Sequence, residues 1–284
     1  MTVPLEPPDA ADLTNDVTEA GVFQTVLDAY DAVYEAQARS ATFNRIWRTN
    51  AYRDDFPADF AHISFLILAE AQRMLDGLQL GDGDVLVDVA CGAGGPGLWA
   101  AQQSGASLIG IDPSGAGLAA ARERARRVGL DGRSRFVQGT FEQTGLSDGS
   151  ADAAMSVEAF QYAPDKQAAL EELFRVLRPG GRLALICFEV DPQKAAGLPV
   201  LGVDPVADYV PLLASAGFGV DSYEETPGWE ERVYAAFGAI VDANEGLVAE
   251  MGERAAAGAV AEAMLTVAMK PYPRRVLAVA RRPV

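Results

Sequence analysis

Val85-Leu-Val-Asp-Val-Ala-Cys-Gly-Ala-Gly-Gly-Pro-Gly-Leu-Trp-Ala-Ala101 is the stretch of sequence that decides the fold. Its first six residues are apolar except for Asp88, four glycines then fall within six positions, and an apolar, alanine-rich run follows. This order predicts a buried strand, a tight turn and a helix. Glycines let the backbone turn sharply and approach a ligand closely, and the N–H groups at the start of a helix favour a carboxylate or phosphate. The stretch therefore predicts a nucleotide-type binding turn.

Two acids near this turn narrow the type of nucleotide. The spacing of Gly92, Gly94 and Gly97 matches the dinucleotide fingerprint, but that match alone is weak. Asp88 lies inside the first strand, outside that fingerprint, and a carboxylate there suits a ligand that carries an ammonium group or another cation. A second apolar stretch, residues 107–112, ends in Asp112. In doubly wound folds an acid at that place hydrogen-bonds ribose hydroxyls.

With these residues the chain resembles the class I S-adenosylmethionine (SAM) dependent methyltransferases. The first motif of that family is acid-x-Gly-x-Gly-x-Gly, and here it runs from Asp88 to Gly94 with Ala90 in place of the first glycine. Leu-Arg-Pro-Gly-Gly at residues 177–181, before a predicted strand, is also typical of the family. The layout is similar to that of bacterial small-molecule methyltransferases that tailor natural products.

The resemblance implies an α/β fold with a seven-stranded, mostly parallel Rossmann-like sheet, in which the last strand enters antiparallel between strands five and six. The alternation of apolar runs supports a parallel sheet with right-handed crossovers. The predicted strands are residues 85–90, 107–112, 135–139, 151–157, 182–189, 217–225 and 275–281. The predicted helices are residues 21–38, 63–78, 95–104, 115–128, 166–177, 206–216, 230–244 and 246–269.

Composition along the chain predicts three regions. Residues 1–19 are acidic, rich in proline and predicted to be disordered. Residues 20–81 form a helical, aromatic-rich segment, which either acts as a lid over a ligand or simply docks on the core. Residues 82–284 form the SAM-binding domain, and a helical insertion at about 228–270 is expected to cap the substrate.

The resemblance also assigns residues to the cofactor. Asp88 and the turn that follows it would hold the methionine moiety, Asp112 would take the ribose hydroxyls, and the turn after strand three would meet the adenine. The aspartate that the family carries in that adenine turn is absent, and Glu142 or Gln143 could supply its hydrogen bond. The expected cofactor-binding residues are Asp88, Ala90, Cys91, Gly92, Gly94, Asp112, Pro113, Gly139, Thr140, Phe141, Ser156 and Glu158.

The candidate catalytic residues are His62, Glu158 and Tyr162. His62 is the only histidine; its ordinary pKa suits proton abstraction near neutrality, although a histidine at a helix start is also a common structural residue. Related small-molecule methyltransferases often carry a histidine near positions 161 and 162, and this chain has none there. Because methyl transfer from a sulfonium depends largely on alignment in a dry pocket, acceptors on oxygen, nitrogen and carbon all stay open.

Charge and composition exclude several classes of partner. The formal net charge of −17 argues against nucleic acid and against an anionic membrane surface. No apolar run reaches the length of a membrane span and no signal peptide is visible, so we expect a cytoplasmic protein. Cys91 and Cys187 are expected to be free thiols, without metal-ligand spacing. We expect a small-molecule substrate, no bound metal, and a monomer or homodimer.

The sequence thus predicts SAM-dependent methyl transfer to a small, largely apolar metabolite, with S-adenosylhomocysteine as the product. Three alternatives remain. The first is an enzyme of the same fold, such as a cyclase, that holds SAM without transferring its methyl group. The second is a nicotinamide-dependent oxidoreductase, which rests on the glycine spacing alone. The third is a SAM-binding regulator without catalysis.

Overall fold

The computed structural model describes residues 19–37, 39–53, 55–195 and 205–284. The predicted disordered tail, residues 1–19, lies outside these ranges except for Glu19. The predicted loop after strand five also falls largely outside them, since residues 196–204 are not described.

A seven-stranded sheet with the order β3-β2-β1-β4-β5-β7-β6 forms the centre of the described chain. The strands β1 to β5 pair in parallel, and β7 runs antiparallel to both β5 and β6. The fold expected from the sequence is therefore confirmed, including the place of the last strand. The strands are β1 (Val85–Val89), β2 (Ser107–Asp112), β3 (Ser134–Gln138), β4 (Ala151–Val157), β5 (Leu177–Glu189), β6 (Gly219–Glu225) and β7 (Arg274–Arg281).

Helices cover both faces of the sheet, which is why its central strands are apolar throughout. Leu86 and its register partner Leu108 face one helical layer, whereas Val87 and its partner Ile109 face the other. The helices are α1 (Glu19–Gln37), α2 (Ala41–Ile46), α3 (Leu68–Leu78), α4 (Gly95–Ser104), α5 (Gly115–Arg127), α6 (Lys166–Val176), α7 (Pro192–Ala195), α8 (Val210–Ser215), α9 (Trp229–Asp242), α10 (Asn244–Met251) and α11 (Glu253–Met269).

Several predicted boundaries differ from the structure, and three of the differences have a clear physical cause. The helix expected from residue 63 begins only at Leu68, because the N–H of Phe65 donates to the Glu158 carboxylate and that of Ile67 to Glu70, which holds this segment out of the helix. The single helix expected at 246–269 is interrupted at Gly252, whose φ of 87° is incompatible with a continuous helix. Strand β5 begins at Leu177, five residues before the prediction, because Leu177 pairs with Ala151.

The N-terminal helices and the insertion α9–α11 pack against each other in one hydrophobic cluster. The Glu250 carboxylate on α10 accepts hydrogen bonds from the Ser40 hydroxyl at 2.7 Å and from the N–H and hydroxyl of Thr42, both at 2.9 Å. These bonds anchor the start of α2 to the insertion. The two segments that the sequence analysis treated separately therefore form one layer; their division into domains stays a prediction.

A buried cluster of charges joins this layer to the sheet. Arg275 on β7 is fully buried and lies 3.0 Å from Glu70 of α3, and its Nε donates to Glu158 at 2.7 Å. Arg232 on α9 lies 2.5 Å from the second oxygen of Glu70. Two guanidinium groups thus face two carboxylates, so the buried charges balance.

Candidate functional site

A cleft opens at the carboxyl ends of β1, β2 and β4, which is where open α/β sheets bind ligands. Its empty space, including the open mouth, is about 1060 Å³. The predicted residues that line it are His62, Ala90, Cys91, Gly92, Asp112, Pro113, Gly139, Thr140, Phe141, Glu158 and Tyr162. Their places are thus consistent with a shared site, while their roles in binding stay predictions.

The turn after β1 uses left-handed backbone conformations at three positions. Gly92 and Gly94 have φ values of 50° and 74°, which a glycine adopts without steric cost. Ala90 has a φ of 59°, a region that disfavours a residue with a Cβ by roughly 1–2 kcal/mol. The position where the family carries glycine therefore keeps the glycine conformation here, although the residue is alanine.

Asp112 lies at the end of β2, and two backbone N–H groups hold its carboxylate. Gly92 donates to one oxygen at 2.7 Å and Ser114 donates to the other at 2.8 Å. Burial raises the pKa of Asp112 to about 6, against the effect of these hydrogen bonds. Each oxygen keeps a further acceptor position, so Asp112 can hydrogen-bond to two hydroxyl groups of a ligand in the cleft.

Asp88, in contrast, lies behind the turn and does not line the cleft. It is 2 % exposed and accepts the N–H of Gly97, and a Cβ added to Gly97 would collide with its carboxylate. Burial, together with the charge of Asp112, raises its pKa to about 8. In this structure its carboxylate fixes the start of α4, and the expected role of Asp88 in holding the methionine moiety stays a prediction.

Two other expected cofactor residues also lie beside the cleft. The missing side chain of Gly94 faces α5, since a Cβ there would lie 3.0 Å from the Cβ of Ala121. Ser156 is fully buried, and its hydroxyl has no hydrogen-bond partner within the described part of the chain. Neither residue lines the cleft, so their contribution is to shape the strand and turn.

The turn after β3 places Gly139, Thr140 and Phe141 along the cleft. Phe141 packs edge-on against Phe160, with ring centroids 5.3 Å apart. Glu142 and Gln143 do not line the cleft; the Glu142 carboxylate accepts the N–H of Asp165 at 3.3 Å instead. The hydrogen bond that either residue could supply to the adenine therefore stays a prediction, which this arrangement of Glu142 does not favour.

Helix α1 closes one side of the cleft. The sequence analysis named no residue of this helix as part of the site. A Cβ at Gly92 would collide with the Tyr34 hydroxyl, so this side chain lies directly on the turn. The Ser114 hydroxyl donates to Asp31, which ties α1 to the start of α5. The apolar spacing of α1 indicates a buried face, but that pattern alone does not say what the face covers. Its cleft-lining residues are Val26, Leu27, Tyr30, Tyr34 and Gln37.

His62 lies in the cleft wall between the rings of Tyr52 and Phe56, whose centroids are 4.3 and 4.6 Å away. The backbone N–H of Ser64 donates to its Nδ1 at 3.3 Å, the Ser64 hydroxyl lies 2.9 Å from the same atom, and its Nε2 has no partner among the described residues. Burial, with a smaller effect of Arg124, lowers the pKa of His62 to about 3. These surroundings make His62 a poor proton acceptor, which weighs against the predicted base role.

Arg124 is a second residue that the sequence analysis missed. Its Nη1 donates to the carbonyl of Ala93 at 2.8 Å, and its Nε has no partner among residues that the structure describes. It is the one lysine or arginine among the described residues lining the cleft. Its position in α5, about thirty residues after the turn, gives no local signal of this contact.

A second cavity adjoins the cleft and lies under the insertion, with an empty space of about 620 Å³ including its opening to solvent. Four residues line both spaces: Tyr30, Ile63, Glu158 and Tyr162. The rest of its wall is mainly aromatic, with Phe43, Trp47, Phe65, Phe188, Phe237 and Tyr272. The arrangement is thus a partly polar cleft that meets an apolar cavity.

Glu158 stands at the junction of the two spaces, with its carboxylate already paired. One oxygen accepts the N–H of Phe65 at 2.8 Å, and the other accepts from Arg275 at 2.7 Å. Burial raises its pKa, and Arg275 opposes that shift. Its φ of 52° adds backbone strain at this position. Glu158 therefore suits a structural or positioning role better than proton abstraction.

Residues 87–185 match a family model described as a methyltransferase domain. Over these residues the chain is similar to methyltransferase domains. The matched range includes the glycine turn, so the nicotinamide alternative loses the one observation on which it rested. The predicted resemblance to class I methyltransferases is confirmed at the level of this domain.

Two curated relatives and one solved structure show how far this likeness extends. The 24-methylenesterol C-methyltransferase 2 of Oryza sativa is 43 % identical over 110 residues, covering 39 % of this chain and 30 % of the relative. Methyltransferase GfsG of Streptomyces halstedii is 36 % identical over 123 residues, covering 42 % and 44 %. The crystal structure of the (4+2)-cyclase SpnF has a TM-score of 0.72 at 23 % identity and covers 92 % of this chain and 96 % of that one.

The likeness to the first two relatives is limited to part of this chain. The chain spans less than half the length of each of them. The likeness to SpnF concerns the fold. Among the described helices, none is long and apolar enough to cross a membrane. In the same parts of the chain, no group of His, Cys, Asp and Glu residues could hold a metal ion.

Proposed function

We propose that this protein is a SAM-dependent methyltransferase that acts on a small, largely apolar metabolite. The observation that carries the proposal is the junction at Tyr30, Ile63, Glu158 and Tyr162, where the cleft of the methyltransferase domain meets an aromatic cavity. A cofactor in the first space and an acceptor in the second would meet at these residues.

The cleft residues fit SAM, which supplies an electrophilic methyl group when it is bound. The Asp112 carboxylate suits the two ribose hydroxyls, because it lines the cleft at the end of β2 and each of its oxygens keeps an acceptor position. Arg124 and the turn Ala90–Gly95 suit a carboxylate, since the Arg124 Nε has no partner among the residues that the structure describes and helix N-termini favour anions. Phe141 and Pro113 offer apolar contacts to the adenine ring.

Helix α1 has the role of excluding water from the cleft. Val26, Leu27 and Tyr30 line the cleft from the side opposite the sheet, and a closed, dry site favours displacement at a sulfonium by strengthening alignment and electrostatic contacts. One relative is named as a methylenesterol C-methyltransferase, which supports an organic acceptor of low molecular weight. The net charge of −17 favours a neutral or cationic acceptor over nucleic acid.

We also propose a cytoplasmic location and a monomer or homodimer, in line with two buried free thiols.

The cyclase alternative remains a second candidate because the SpnF fold matches nearly the whole chain. At 23 % identity that likeness carries the fold and not the reaction. Both candidates bind SAM or its demethylated product, so only the fate of the methyl group separates them.

The test is isothermal titration of the purified chain with SAM, S-adenosylhomocysteine and NAD in turn. We expect one SAM and one S-adenosylhomocysteine per chain and no heat from NAD. The protein is then incubated with SAM carrying a labelled methyl group and a set of apolar alcohols, amines and alkenes. Labelled product supports methyl transfer, whereas NAD binding without SAM binding would overturn the proposal.

A further inference from the structure

Glu262 is a carboxylate in the wall of the aromatic cavity that the function described so far does not use. It lies on α11, is partly buried, and contacts the Tyr162 hydroxyl, 3.5 Å from its Oε1. Glu158, the other acid in that wall, is paired with Arg275. Among the described residues of this cavity, no lysine or arginine faces Glu262.

Two side chains in the cavity wall also have polar atoms without a hydrogen-bond partner among the described residues. Trp47 and Gln161 line it and are 6 % and 3 % exposed, yet the indole N–H of Trp47 and the Oε1 of Gln161 have no hydrogen-bond partner in the described ranges. Buried polar groups without a partner are costly, and a ligand that supplies the missing partners removes that cost. The cavity therefore has the character of a binding pocket, with a mostly apolar wall and a few polar groups.

We propose that Glu262 is the catalytic base of this enzyme and that the methyl acceptor is an alcohol or phenol hydroxyl on an apolar skeleton bound in this cavity. The inference rests on the proposed methyltransferase function and deepens it. It replaces His62, the predicted base, with a residue that the sequence analysis did not single out.

The chemistry requires one proton acceptor. When a hydroxyl oxygen forms a bond to the methyl carbon, the bond from sulfur to that carbon breaks, and the sulfonium becomes a neutral thioether. The acceptor loses its hydroxyl proton, and the Glu262 carboxylate receives it to become a neutral acid. Charges and atoms then balance without another reactant.

The surroundings of Glu262 suit this proton transfer. Burial raises its pKa to about 7, and the Tyr162 hydroxyl opposes the shift, so the group is poised near the pH at which a general base is most effective. The titratable groups that face it are Tyr30 from α1, Tyr162 and Glu158 from the segment after β4, and Tyr272 before β7. Helices α2 and α9 contribute only the apolar side chains of Phe43, Phe237 and Ile240 to this cavity, and the indole of Trp47 follows α2.

An ammonium group is the other ligand that a carboxylate among aromatic rings could hold. Here the rings are packed against one another: Phe188 is stacked on Tyr272 at 4.3 Å, and the Arg275 guanidinium lies 5.9 Å from its centroid. Phe65 contacts Trp47, Phe188 and Phe237. Since these ring faces are occupied by protein, a hydroxyl on an apolar skeleton fits the cavity better than a cation.

The first experiment measures binding of three probes with the same ring, namely 2-naphthol, 2-methoxynaphthalene and 2-naphthylmethylamine, by equilibrium dialysis against the full chain between pH 5.5 and 8.5. We expect 2-naphthol to bind about tenfold more tightly than its methyl ether at pH 8, as for a hydrogen bond to a charged group. The preference should shrink below pH 7 as Glu262 becomes protonated. In Glu262→Gln it should be small and independent of pH, and in Glu253→Gln, an exposed site on the same helix, it should be unchanged.

The second experiment follows formation of 2-methoxynaphthalene from 2-naphthol and SAM. We expect the rate of product formation by the wild type to rise through pH 7. The rate of Glu262→Gln should be at least a hundredfold lower, which is the usual contribution of general base catalysis. Tighter binding of the amine than of 2-naphthol, an unchanged pH profile in Glu262→Gln, or no turnover of 2-naphthol by the SAM-bound wild type would overturn the inference. Failure of the proposed function is distinguishable, because it appears as absence of SAM binding while the dialysis experiment still reports on Glu262.

Discussion

The carboxylate of Asp112 accepts the backbone N–H of Gly92 at 2.7 Å, and this hydrogen bond joins the end of β2 to the glycine turn after β1. The bond holds a negative charge and a close backbone approach at one place in the cleft. A ligand that carries a ribose next to a small zwitterion would meet both features at once.

Asp112→Ala should weaken SAM binding by about a hundredfold or more. The substitution removes the acceptor for two ribose hydroxyls, and each hydrogen bond to a charged group is worth about 1.5–3 kcal/mol. Calorimetry with SAM measures the loss, and circular dichroism checks that the fold persists. Asp112→Asn keeps one acceptor oxygen, so its affinity for SAM should lie between those of the wild type and Asp112→Ala. Unchanged affinity in Asp112→Ala would contradict the placement of the ribose.

Asp88→Asn should make the protein more stable than the wild type at pH 8 and about equally stable at pH 4. The pKa of Asp88 is raised to about 8 in the folded protein, so the wild type loses stability as pH rises from the unfolded pKa near 4 towards 8. The amide keeps an oxygen for the N–H of Gly97 and never ionises. Urea unfolding at pH 4, 6 and 8 measures the difference, and a gap that does not grow with pH would refute the assignment.

His62→Phe should flatten the loss of stability on acidification. Because the pKa of His62 is lowered to about 3, its stabilising contribution is complete above the unfolded pKa near 6.5 and is lost as pH falls towards 3. Between pH 6.5 and 5 the wild type should therefore lose about 2 kcal/mol more than the variant. Chemical unfolding at both pH values provides the comparison, and equal losses would show that His62 is accessible to protons in the folded state.

Glu70→Gln should lower the free energy of unfolding by about 3–5 kcal/mol, because it leaves Arg232 and Arg275 buried without a full counter-charge. The matched control is Glu224→Gln, which removes an exposed carboxylate paired with Arg73 and should cost less than about 1 kcal/mol. Urea unfolding of both variants tests the contrast. Similar values for the two would show that the buried cluster contributes no more than a surface ion pair.

Much of the fold and part of the site follow from neighbouring residues. The apolar run at 85–90, the glycine turn and Asp112 predict the first crossover correctly, because strand, turn and helix propensities are local. The sequence position of Asp88 establishes that this residue lies beside the turn but not in which direction its carboxylate points. The packing of Gly97 against that carboxylate settles the direction.

The residues that were missed come from distant parts of the chain. Tyr34, Arg124 and Glu262 lie on three different helices, and nothing in their local sequence distinguishes them from ordinary helical side chains. Tyr162 and Glu262 are 100 positions apart, and they meet only because the insertion folds back over the end of β4.

The sequence by itself determined the methyltransferase sheet, the glycine turn and the acid at the end of β2, because hydrophobic periodicity and glycine geometry act over a few residues. Only the tertiary structure decided which acids face the cleft, which are buried behind it, and which carboxylate lies in the aromatic cavity with no described lysine or arginine facing it. Those outcomes depend on burial and on partners contributed by remote helices, and neither is encoded in any single stretch of the chain.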